Sequence, residues 1–148
     1  MVSSDFSSLL RQPAGQAKKP PVLDAGNYPA TVRSYEVDNK NKNKTTYVRF
    51  HVGYTGWPDG ASPQTNEDGT IIDLSKRQGR RDFFLTPDAL WRLDEFLRSC
   101  GVDLAGRSYE EVLPEMVNKS VVASVKQYMN ERNNDLGNEI DALVGTEG

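Results

Sequence analysis

Apolar and polar positions alternate along much of the chain, and the alternation divides it into strands. In Gly26–Asp38, "GNYPATVRSYEVD", Tyr28, Ala30 and Val32 fall on one face while Thr31, Arg33 and Tyr35 fall on the other. The polar stretch Asn39–Thr45 has no apolar anchor and predicts a hairpin loop, after which Thr46–Tyr54 alternates again. In this second strand Val48, Phe50 and Val52 point one way and Tyr47, Arg49 and His51 the other, so its polar face is both basic and aromatic. Residues 55–67, rich in Gly, Pro, Asp and Asn, read as a long loop that carries Trp57. A brief apolar run, Ile71, Ile72 and Leu74, leads to the basic "SKRQGRR" and a short third strand, "DFFL" (Asp82–Leu85). Phe83 and Phe84 are assigned to the core, because neighbouring strand residues cannot both face a ligand.

The period then changes from two to that of a helix. Thr86-Pro87-Asp88 combines a capping residue, a proline tolerated in the first turn and an acid at the positive helix end. Leu90, Leu93, Leu97 and Cys100 recur on one face, and Gly101 stands where a left-handed cap belongs, predicting a helix over 87–100. Trp91 is placed in the core with it. Ser108 and Glu111 form a capping box, and Pro114 limits the helix it opens to a turn or two. Lys119–Tyr128 and Asn138–Gly145 predict a final hairpin through "MNERNNDLG". Three strands, a helix and a hairpin point to a mainly β domain: a five-stranded, OB-like barrel with one helix between the third and fourth strands.

Ahead of it, Phe6, Leu9 and Leu10 at helical spacing behind Ser4 and Asp5 predict a short amphipathic helix, and the prolines of residues 11–21 an extended linker. Residues 1–21 are thus read as helix and linker, and 22–148 as the barrel domain. The 148 residues match one domain, 36% hydrophobic and 26% charged. One cysteine excludes an internal disulfide, and neither a secretory leader nor an apolar run of roughly 18 residues is present, so the expected location is cytoplasmic, away from membranes.

A net charge of −3 opposes nucleic-acid binding, where phosphate contacts dominate affinity. Its distribution changes the picture. Arg33, Lys40, Lys42, Lys44 and Arg49 face only Glu36 and Asp38 over residues 31–50, and Lys76, Arg77, Arg80 and Arg81 form a second basic knot. Catalysis finds little support: His51 is the only histidine, and Cys100 lies near a helix C-terminus, where nothing activates a thiolate. Asn66, Asp68 and Gly69 echo a calcium loop, but Gln64 and Ser75 replace its end carboxylates, which makes a turn the better reading. No catalytic residue, metal site or cofactor is expected.

The segments "AGNYPATVRSYEV", "YVRFHV", "DFFLTPDALWRLDEFLRSCGVD", "NKSVVASV" and "GNEIDALVG" together resemble a family of tailed-phage early proteins, a domain of unknown function similar to OB-fold single-stranded DNA-binding proteins. The resemblance covers roughly residues 22–145, and the long insertion between Trp57 and Lys76 departs from it. It implies capture of single-stranded DNA with little sequence specificity, in phage-type replication or recombination, with proteins of those processes as further partners. Basic side chains would follow phosphates while rings stack on bases. Arg33, Tyr35, Tyr47, Arg49 and His51 would share one sheet face, with Trp57, Arg77, Arg80 and Arg81 at its rim. The alternative is a protein-interaction module on the same barrel, with the Phe6, Leu9, Leu10 helix as ligand or anchor.

Overall fold

A computed structural model describes Leu10, residues 21–40 and residues 43–146. Five strands form one antiparallel sheet: β1 (Gly26–Asp38), β2 (Tyr47–Tyr54), β3 (Gln78–Phe84), β4 (Ser120–Asn130) and β5 (Asp135–Gly145), in the order β3-β2-β1-β4-β5. Two short helices, α1 (Leu90–Ser99) and α2 (Tyr109–Val112), lie between β3 and β4. The expected N-terminal helix and linker lie outside the described residues, except for Leu10, which is exposed, and Pro21.

The sheet coils until its two edge strands meet. Ile140 of β5 fills the space beside Gly79 of β3, where any Cβ would collide with its Cδ1 atom and with the Tyr54 hydroxyl. Nearer the start of β3, Arg77 and Gln78 face Leu136–Asn138, and nearer its end Phe83 shares a groove with Ala142–Val144. The two edges therefore run in the same direction. Side chains bridge this seam, while the hydrogen-bonded ladder ends at β3 on one side and β5 on the other.

Inside lie Val32, Val48, Phe50, Val52, Val121, Ala123 and Val125, joined by Leu93, Phe96 and Leu97 of α1, all buried. Phe50, Phe83 and Phe96 form the aromatic centre, with Phe83 stacked on Phe96 at 5.2 Å and the other pairs edge to face. α1 ends as its sequence requires: Gly101 adopts φ 80°, its N–H donates to Arg98 and that of Val102 to Leu97, with Val102 and Leu97 both buried. α2 opens with Ser108 accepting from the Glu111 N–H.

Three local expectations are corrected. α1 starts at Leu90 rather than Pro87, because Ala89 and Leu90 donate back to the Thr86 carbonyl in a turn that precedes the helix. Trp91 is 56% exposed, since Leu93, Phe96 and Leu97 take the buried stripe and position 91 falls outside it. β3 begins at Gln78 and absorbs half of the basic run that sequence placed ahead of it; its arginines mask the strand pattern. The loop around Asn66 closes on itself through a Thr65–Ile71 bridge, and Thr70 donates twice to Asp68, holding that carboxyl below its ordinary range.

Candidate nucleic-acid interface

The outer face of β1–β3 carries part of the set expected from sequence, and a bulge decides which part. Between Val32 and Ser34 the register of β1 against β2 shifts by one, so Val32 pairs with Val52 but Tyr35 pairs with Phe50. Beyond the bulge every side chain changes face. Tyr35 therefore packs inward, its ring 6.5 Å from that of Phe50, instead of joining the outer set. Arg33 is the bulged residue, and its exposed side chain lies over Gly53 of β2. Ser34 and Glu36 take the outer positions that strict alternation would have denied them.

On β2 the outer residues are Tyr47, Arg49 and His51, as expected, but all three are engaged within the fold. Arg49 donates to both Asp82 carboxylate oxygens, at 2.7 and 3.0 Å, and stands 4.0 Å from Glu36. The Asp82 hydrogen bonds, more than its charge, hold this guanidinium still more firmly protonated than usual. Arg49 also covers the Tyr47 ring at 5.0 Å, and Phe84 meets the same ring edge-on at 6.3 Å; Tyr47 is only 5% exposed. His51 Nε2 contacts a Glu36 oxygen at 3.0 Å.

The rim residues scatter. Trp57 packs on Tyr28, ring centroids 6.1 Å apart, against the core near the start of β1, whereas the bulge lies at its middle. Arg77 donates to the Pro21 carbonyl at 2.8 Å and ties down the start of the domain. Arg80 pairs with His51 across β2–β3 and is exposed on the outer face. Arg81, one position on, pairs with Phe50 and turns inward, its guanidinium 5.8 Å from the Phe83 ring. Alternation within β3 thus separates two arginines that sequence had placed together.

Along the seam the fold forms a cleft of about 610 Å³. β2 and β3 contribute His51, Arg80, Asp82 and Phe84 to it, and β4 and β5 contribute Tyr128 and Glu139. Phe84 and Tyr128, 44% and 43% exposed, stand toward opposite ends: Phe84 at the last position of β3, Tyr128 opposite Gly137, beyond which β5 meets the start of β3. The seven residues of β3 from Gln78 to Phe84 span these ends, about 20 Å at the rise of a strand. Among the described residues neither Arg33 nor Arg80 has an ion-pair partner, so both charges face solvent.

Sequence reasoning assigned Phe84 to the core with Phe83 and missed Tyr128; Phe83 is buried, but Phe84 is exposed. Phe84 carried a usable signal, since the same parity that puts Phe83 inside puts Phe84 outside. Tyr128 depends on the register of a strand pair not fixed by sequence alone. Among the described residues no group of three His, Cys, Asp or Glu side chains is placed to hold a metal, and no helix is long and apolar enough to cross a membrane. No protein-family model matches the chain, and no curated protein matches it significantly.

Proposed function

We propose that this chain binds single-stranded DNA with little sequence specificity, on the outer face of β3, in replication or recombination of the tailed-phage kind its sequence resembles. The observation that carries the reading is the cleft in which Arg80 stands between two exposed rings, Phe84 and Tyr128. Such a row supplies a cation for the backbone and flat surfaces for bases, which suits single strands of any sequence. The strand order β3-β2-β1-β4-β5, with the β5 edge near β3 and the helices before β4, is compatible with the OB-like barrel expected from sequence, a fold that binds oligonucleotides on its second and third strands.

Arg33 and Arg80 would meet phosphates, His51 would line the track, and the Arg49–Asp82 pair, over the covered Tyr47 ring, would hold β2 and β3 in register beneath it. The acidic total charge opposes this use, so affinity must come from the local arrangement and fall steeply with salt. Fluorescence anisotropy of labelled oligo-dT from low to high salt tests it: saturable binding with a negative log–log slope is expected, and no binding at low salt rejects it. An oligo-U arm of the titration separates DNA from RNA preference.

A further inference from the structure

On the other side of the seam, α1 and the end of β5 enclose a second groove of about 290 Å³, lined among others by Arg81, Phe83, Trp91, Arg92 and Val144. Its apolar part is exposed to solvent. Trp91 is 56% and Val144 54% exposed, and the stacked Phe83 and Phe96 rings form the floor between them. An exposed indole beside an exposed valine over an aromatic floor is the kind of surface that marks a docking site.

Two cations frame it. The Arg92 guanidinium lies 5.2 Å from the Trp91 ring centroid and that of Arg81 5.8 Å from Phe83, against one lining acid among the described residues, Glu95. Arg81 Nε is buried and has no hydrogen-bond partner among the described residues. A desolvated donor without an acceptor is costly, and an arginine fork matches a carboxylate. The groove is too small for the roughly 800 Å² per partner of a stable dimer, and it lacks the row of cations a phosphate backbone needs.

We propose that this groove binds a short apolar peptide segment of a partner protein that carries a carboxylate. The apolar side chains lie against Trp91 and Val144, and the carboxylate reaches Arg81 and Arg92. This does not rest on the DNA reading: Arg81 lines both the cleft and this groove, but Trp91, Arg92 and Val144 line only this one.

The test is an NMR titration of the full ¹⁵N-labelled chain with N-acetyl-leucyl-phenylalanine and, separately, its C-terminal amide. The expected result is saturable movement of the Trp91 indole N–H and the Val144 amide, a stationary Trp57 indole, and about tenfold weaker binding of the amide. Arg81→Met, which keeps the aliphatic stem, and Arg92→Gln each shrink the acid-over-amide preference, while Trp91→Ala weakens both ligands. Unmoved Trp91 and Val144 signals at millimolar peptide overturn the proposal, as does equal binding of acid and amide by the unaltered chain. Movement of the same signals with oligo-dT instead assigns the groove to nucleic acid, and movement on simple dilution assigns it to a second copy; either overturns it.

Discussion

Arg49 and Asp82 face each other across β2 and β3 and are joined by two parallel hydrogen bonds, Nε to Oδ1 at 2.7 Å and Nη2 to Oδ2 at 3.0 Å. The pair commits to the fold a charge that sequence assigned to a ligand. Both side chains keep a quarter or so of their surface in solvent, so their joint contribution is about 1 kcal/mol, in the range of well-formed surface pairs.

Arg49→Ala is expected to lower stability by about that amount in urea unfolding while leaving the salt slope of oligo-dT binding unchanged. Arg80→Ala is expected to reverse the pattern: little change in stability, weaker binding, and a slope reduced by about 1. Asp82→Asn removes a negative charge from the face and releases Arg49, so binding at low salt should tighten. Equal slopes for Arg80→Ala and the unaltered chain would remove Arg80 from the site.

Phe84→Ala and Tyr128→Ala should each weaken oligo-dT binding by about 1 to 3 kcal/mol, the scale of one stacked base. Trp57 sits on Tyr28, away from the cleft, so its fluorescence should respond little; labelled oligonucleotide anisotropy is the suitable readout.

Tyr35→Ala separates the bulged register from strict alternation. An inward Tyr35 against Phe50 predicts a stability loss of about 2 kcal/mol and unchanged binding. Weaker binding with intact stability would place the ring on the outer face after all.

Asn138 acts as a missing piece of strand. Its side-chain oxygen accepts from the Leu23 N–H at 2.8 Å and its amide donates to the Leu23 carbonyl at 2.9 Å, fastening the chain ahead of β1 to β5. Asn138→Ala leaves the N–H of a residue 1% exposed without that acceptor, at a cost of about 1 to 3 kcal/mol. Chemical denaturation measures the loss, and amide exchange at Leu23 should accelerate; unchanged exchange would show that the clamp is dispensable.

The Tyr109 hydroxyl donates to Asp94 and ties α2 to α1; burial, and then this bond, push its pKa up to about 12 from the ordinary 10.0. The folded state thus favours the protonated phenol, so its contribution is complete below pH 10 and declines as pH rises toward 12. Tyr109→Phe should flatten this part of the alkaline stability profile, measured by urea unfolding at stepped pH.

Most of the fold was legible because burial writes its period into the chain. Val48, Phe50 and Val52 announced the inner face of β2, and Gly101 and Ser108 announced helix ends whose hydrogen bonds are the expected ones. The candidate site was less legible, for two physical reasons. A bulge at Arg33 has no strong signature of its own, yet it reverses the facing of Tyr35. Arg80 and Arg81 look equivalent in sequence and become opposite once the strand extends back to Gln78. Charge composition also omits pairing: Arg49 counts as a free cation until Asp82 is seen across from it.

The central claim, a single-strand track along the outer face of β3, is tested most directly by amide and side-chain shift mapping of the ¹⁵N-labelled chain with oligo-dT at low salt. The expected result is a continuous band of shifts through His51, Arg80, Asp82 and Phe84 to Tyr128, disappearing as salt is raised. Shifts absent from these residues, or confined to the Trp57 and Tyr28 end, would contradict it.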